Sequence, residues 1–181
     1  MTHLIRRLRP ARVSAAVALC ALALSATALT ARAAGSHAAR PAAASPCASG
    51  TDNWLDTQGS GAAGTDYFTL EFTNLSGHAC TLEGYPGVSA VDLHGVQIGA
   101  AASRSTAAAH LVTLANGATA VAQLAIANTG NFTPSACRAV TAAGLRVYAP
   151  NQTGSDVIPY PFSTCSKSAT VSLHVQPVKA P

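Results

Sequence analysis

The sequence predicts an all-β domain, an immunoglobulin-like antiparallel β-sandwich of about seven to nine short strands stapled by disulfides. Three observations carry this expectation. Between Asp66 and Asn74 the apolar residues Phe68, Leu70 and Phe72 alternate with Tyr67, Thr69, Glu71 and Thr73, the period of two that a strand with one buried face produces. Near the other end, Ala169, Val171, Leu173 and Val175 alternate as regularly with Thr170, Ser172, His174 and Gln176. Between them, turns rich in Gly, Pro and Asn punctuate short apolar runs, with no pattern of strands and helices in alternation.

The chain opens with an export signal. Arg6, Arg7, Arg9 and Arg12 precede an apolar run from Val13 to Leu29 and the small-residue site Ala31-Arg32-Ala33, the layout of a secretory signal peptide over 1–33. Arg9 stands where a twin-arginine signal wants a hydrophobic residue, which favours the general secretory route. Cys20 follows Leu19, where a lipid-anchor site wants a small residue, so no lipid is expected on it. The run is short and rich in Ala, Ser and Thr, which argues against a membrane span after cleavage. Residues 34–46, AGSHAARPAAASP, hold no large apolar side chain and are expected to be a flexible Ala/Pro linker. A single β-sandwich domain over 47–178 follows, long enough to bury one core.

Within the domain a first strand is expected at Asn53 to Gln58, with Trp54 anchoring the core between sheets, before a Gly-rich turn from Gly59 to Gly64. After the Asp66–Asn74 strand, Asn74, Ser76 and Gly77 supply turn chemistry, and Cys80 and Leu82 re-enter the core. Tyr85, Pro86 and Gly87 predict a structural type II turn, with Pro presetting φ and Gly87 taking the positive φ at the next position. Val88–Leu93 and Val96–Ile98 flank His94-Gly95 as a hairpin, and Leu111–Leu114 and Thr119–Ala127 flank Asn116-Gly117 as another. In the last of these strands Ala120, Ala122, Leu124 and Ile126 are expected to face inward. Ala100 to Ala109 lacks an amphipathic stripe and is expected to connect the two sheets as a loop. Asn131 to Ala136 is expected to be a loop, Leu145 and Val147 mark a strand that stops before Pro150, and Asn151 to Pro161 is an excursion without periodicity.

Charge and cysteines bound the function. The whole chain has 11 Lys and Arg against 7 Asp and Glu. Loss of the signal removes Arg6, Arg7, Arg9, Arg12 and Arg32 and no acid, leaving a mature balance of about −1 that gives no support to nucleic-acid binding. The mature chain keeps Cys47, Cys80, Cys137 and Cys165. An even count in an exported chain argues for a disulfide framework, and neither a CxxC nor a Cys-His spacing argues for zinc. Of the three connectivities that four cysteines allow, Cys47 with Cys80 and Cys137 with Cys165 is favoured, because each pair closes a moderate loop.

The stretch F-T-N-x-S-G-x-x-C-T-L-x-G-Y-P-G-V, from Phe72 to Val88, resembles the signature of the secreted bacterial domain of unknown function 4232 family. The similarity continues through GVQIG at Gly95–Gly99, the Val112–Ala120 segment, LRVYAP at Leu145–Pro150 and Cys165. It covers nearly everything after residue 46. The resemblance implies an antiparallel sandwich and an exported address. It implies no activity and no catalytic residue.

The residues themselves offer little chemistry. Gly59-Ser60-Gly61-Ala62-Ala63-Gly64 matches G-x-G-x-x-G, but a strand rather than a helix follows it, so it is expected to be a flexible turn and not a nucleotide site. His78, His94, His110 and His174 are scattered, with no spacing that gathers a metal, and Asp52 and Asp56 lack the alternating oxygen ligands of a calcium loop. No nucleophile elbow or Ser-x-x-Lys is present; Gly87-Val88-Ser89-Ala90-Val91 fails at its last position. No catalytic residue, metal or cofactor is therefore expected. Tyr67, Tyr148 and Tyr160 are candidate binding-surface residues, since an exposed aromatic patch on a sheet favours a glycan or protein partner. The expectation is a secreted, non-catalytic binding module whose partner is a protein or glycan of the cell envelope. The rival is a small hydrolase or a hydrolase inhibitor, for which Asn151–Pro161 would be the exposed loop.

Overall fold

The computed structural model describes residues 44–47 and 51–181. The expected signal peptide and the linker up to residue 43 lie outside the described residues. Ser45–Pro46, the end of that linker, form a two-residue strand β1.

The largest sheet is built on the periodic segment. β2 (Thr51–Ala62) and β3 (Thr65–Asn74) pair antiparallel, and their two-residue connection places Ala63 at φ 47° and Gly64 at φ 75°, the left-handed pair that matches strand twist in a hairpin. β3 also pairs along its length with β9 (Thr119–Ala127). β9 in turn pairs with β12 (Leu173–Val175), which carries β7 (Ser103–Arg104) on its far edge, giving the order β2-β3-β9-β12-β7. A second sheet has the order β11-β10-β5-β6, formed by β5 (Gly87–Val91), β6 (Gln97–Ile98), β10 (Ala139–Tyr148) and β11 (Ser155–Cys165). A small third sheet, β1-β4-β8, joins β4 (Cys80–Leu82) and β8 (Val112–Leu114) to β1. The only helical turns among the described residues are a 3-10 turn at Thr129–Asn131 and a four-residue helix α1 at Pro134–Cys137.

The all-β class follows from the sequence as expected. Beyond the expectation, the described residues hold twelve strands, a third sheet, and two short parallel ladders, β1 with β4 and β7 with β12. Inward residues of all three sheets meet in one core: Leu55, Phe68, Leu70 and Phe72 from β2 and β3, Ala120, Ala122, Leu124 and Ile126 from β9, and Val88, Leu145 and Val147 from the second sheet. Asn74 ends β3 fully buried and serves as a hub. Its amide donates to the carbonyls of His78, Leu114 and Ala115, and its Oδ1 accepts from the amide and hydroxyl of Ser76. One side chain thereby satisfies the turn after β3 and the segment after β8, which a buried backbone requires.

Several expectations are corrected. Trp54 does not anchor the core: Asn53 and Leu55 take the inward phase of β2, and Trp54 between them is 63% exposed. The run from Gly59 to Ala62 is strand rather than turn, because a register shift between Asp56 and Ser60 lets β2 continue to the hairpin. Tyr85-Pro86-Gly87 is not a type II turn. The positive φ, 110°, belongs to Gly84, while Gly87 opens β5 opposite Tyr148, and the segment carries the chain from the third sheet to the second. Asn116-Gly117 likewise turns between sheets, since β8 pairs with β4 and β9 with β3. Asn151–Pro161 is mostly strand. β11 is a sheet edge, where Pro159 and Pro161 sacrifice no ladder bond because an edge has one side without a partner. The final alternation is a strand only over Leu173–Val175, and Ala169 is exposed.

Candidate functional site

The outer face of the five-stranded sheet collects the groups best suited to contact a ligand. Outward residues of adjacent strands stand in rows: Trp54, Glu71, Val121 and Lys179 in one; Asp56, Thr69 and Gln123 in the next; Ser60, Tyr67, Ala125, His174 and Ser103 in a third. Trp54 lies at the β2 edge of this face and is largely exposed, and Tyr67 is half-buried two rows along. Strand geometry puts their Cα atoms about 14 Å apart. Between and around the rings are hydroxyls, amides and carboxylates. Thr73 and Thr119 hydrogen-bond each other at 2.8 Å, and the Ser105 hydroxyl donates to Gln176 Oε1 at 2.7 Å.

Where the sheet meets the segment before β8, the face runs into a groove of about 700 Å³ whose lining includes His110, Leu111, Gln123, Gln176 and Lys179. The C-terminal residues form its wall by pairing with β9: Gln176 donates its backbone amide to Gln123, and Val121 and Lys179 exchange backbone bonds. Ser103 Oγ and His174 Nδ1 stand 2.6 Å apart on the same face. Among the described residues no carboxylate hydrogen-bonds this imidazole, and no group of three or more His, Cys, Asp or Glu side chains converges as a metal site would require.

The sequence-predicted residues are dispersed. Tyr67 lies on the face just described. Tyr148 sits on the outer side of β10, in the opposite phase to the buried Val147, so it belongs to the second sheet's surface. Tyr160 packs partly buried against the core, 5.2 Å from the Phe68 ring edge-on and 6.0 Å from Phe162 in a stack. Burial, and then the Asp66 carboxylate, raise its pKa above the ordinary phenol value. Tyr85 is structural: its hydroxyl contacts the carbonyls of Ser105 and Ala107, and Arg104 lies 5.7 Å over its ring. The cysteines pair as favoured, Cys47 with Cys80 and Cys137 with Cys165. What the sequence reasoning missed is Trp54. Trp54 shares its β2 phase with the acids Asp52 and Asp56, and that phase was the available signal.

Fold and site define an all-β, two-disulfide domain with an open, aromatic-bearing sheet face. Residues 47–179 match the family described as Domain of unknown function (DUF4232), and the chain belongs to that family. No curated protein and no solved structure matches it. The family description carries no activity, so the function has to be argued from the site.

Proposed function

We propose that this protein is a non-catalytic module that binds a glycan through the outer face of the five-stranded sheet, outside the cell or at its envelope. The observation that carries the proposal is Trp54, 63% exposed on the same sheet face as Tyr67. An indole left in water on a rigid sheet is a large contact surface with little side-chain freedom to lose on binding. The ring faces suit the C–H faces of pyranose rings, and the neighbouring Thr69, Gln123, Asp56 and Glu71 supply the donors and acceptors that sugar hydroxyls need. A flat face suits an extended polymer better than an enclosed small molecule. The two disulfides and the export-type N-terminus support an oxidising address, and among the described residues no helix is long and apolar enough to cross a membrane.

Trp54 is the chain's one tryptophan, so intrinsic fluorescence reports directly on this face. Titration with soluble fragments of cell-wall and extracellular polysaccharides is expected to give a saturable emission shift. Trp54→Ala should abolish retention on the matching insoluble glycan while leaving the melting temperature unchanged. Absence of any shift across the panel, together with capture of a protein from the cell-wall fraction, would transfer the site to a protein partner.

The hydrolase reading draws on one observation, the Ser103–His174 contact. A fluorophosphonate probe is expected to leave Ser103 unlabelled, and stoichiometric labelling that His174→Ala removes would favour the enzyme. The inhibitor reading loses its loop, since β11 takes up most of Asn151–Pro161.

A further inference from the structure

Where β3, β9 and β11 come together, a second pocket of about 260 Å³ lies apart from the glycan face, with Asp66, Phe68, Asn128, Tyr160, Phe162 and Ser163 among its lining residues. Three of these are aromatic. Tyr160 and Phe162 stack with an interplanar angle of 26°, and Phe68 meets Tyr160 edge-on at 66°. Phe68 is held because it occupies the inward phase of β3 and is buried, so the aromatic group stands on a fixed floor. Asp66, two positions before it in the same phase, reaches the rim instead of the core and is exposed. No hydrogen bond within the described residues engages its carboxylate, and no Lys, Arg or His lines the pocket.

Each of these features has the same electrostatic sign. The face of an aromatic ring is the negative end of its quadrupole and attracts a cation within about 6 Å of the centroid. A carboxylate adds a full negative charge, and the Ser163 hydroxyl oxygen adds an acceptor, while Asn128 Oδ1 already accepts from the Gly130 amide at 2.9 Å. A neutral apolar ligand would leave Asp66 uncompensated, and an anion would be repelled. The volume falls below the roughly 300 to 1,000 Å³ of sites that enclose drug-sized ligands, so it suits one headgroup. We propose that this pocket binds an organic ammonium group, seated on Tyr160 and Phe162 with Asp66 as its counter-charge. The inference is independent of the glycan reading, because none of its residues lies on the Trp54 rows.

The test uses the full mature chain with its disulfides intact, titrated with choline and with 3,3-dimethylbutan-1-ol, the uncharged analogue in which carbon replaces nitrogen, followed by amide NMR shifts. Choline is expected to saturate shifts at Asp66, Asn128, Tyr160 and Ser163, and the analogue to bind at least about tenfold more weakly. Asp66→Asn, at an exposed position, should weaken choline by a similar factor with the melting temperature unchanged. Tyr160→Leu should do the same, and if it does not fold, Asp66→Asn alone decides. Equal binding of choline and its analogue, insensitivity to Asp66→Asn, or no saturable shift at these residues would each overturn the proposal.

Discussion

Two glycines separate two physical reasons for the same residue. Gly99 has φ 65°, and a Cβ there would overlap the backbone carbonyl of Cys165; neither the conformation nor the neighbour can yield. Gly99→Ala is therefore expected to cost about 3 kcal/mol or more, from left-handed strain plus displacement of a strand end. Gly87 lies in β5 outside the left-handed region, and its Cβ would come 3.3 Å from Tyr148 Cβ and Cδ2, a tight contact that a small shift of the two strands relieves. Gly87→Ala should stay within about 1 kcal/mol of the parent, and urea unfolding of the two variants checks the contrast. Tyr160 supplies a pH dependence. Its pKa is raised in the fold from the ordinary 10.0, so the unfolded chain loses this proton first. The associated stability is complete below that value and disappears as pH rises through the folded pKa. Alkaline melting curves should thus be flatter for Tyr160→Phe than for the parent, and Asp66→Asn should bring the Tyr160 ultraviolet titration back toward 10.0.

Strands differ in how plainly their residues announce them, and the difference follows from burial. β3 and β9 each present one face to the core and one to solvent, so Phe68, Leu70 and Phe72, and Ala120, Leu124 and Ile126, fall at every second position as expected. β1, β6 and β7 are two residues long and exist because a longer strand offers them a ladder, which leaves no period to find, whereas β12 keeps the buried Leu173 and Val175 of the alternation that pointed to it. β11 hid behind Pro159 and Pro161, residues that argue against a strand everywhere except at an edge. The turn dipeptides were legible as turns, and His94-Gly95 closes the expected hairpin between β5 and β6, but Asn116-Gly117 does not close one, because the residues of a turn do not specify whether its flanks share a sheet. Asn74 is the element-scale counterpart of the core. Asn74→Ala would leave buried carbonyls after β3 and β8 without donors, and is expected to destabilise by roughly 2 to 4 kcal/mol. Asn74→Asp should be no better, since it removes the donors while keeping the shape. Thermal unfolding of the pair distinguishes lost hydrogen bonds from lost volume.

At the scale of the molecule, one core and two crosslinks hold a chain with no long helix among its described residues. Phe72, wholly buried near the end of β3, should cost roughly 3 to 5 kcal/mol on truncation to Ala, a large share of the roughly 5 to 15 kcal/mol typical of a domain; calorimetry of Phe72→Ala tests this. The site was half legible. Tyr67 could be placed on an outward phase by counting from Phe68, whereas Trp54 was assigned to the core on size, although Asp52 and Asp56 in the same phase of β2 pointed it to solvent. The disulfides close loops of 33 and 28 residues, and every other pairing of the same four cysteines would close a longer one. In an unstructured chain the probability that two ends meet falls as loop length grows, so statistics alone favour this set of bonds by about 2 kcal/mol over either alternative. The unfolded polymer thus already leans toward the covalent topology that the fold uses, and oxidation ahead of folding should trap few wrong partners.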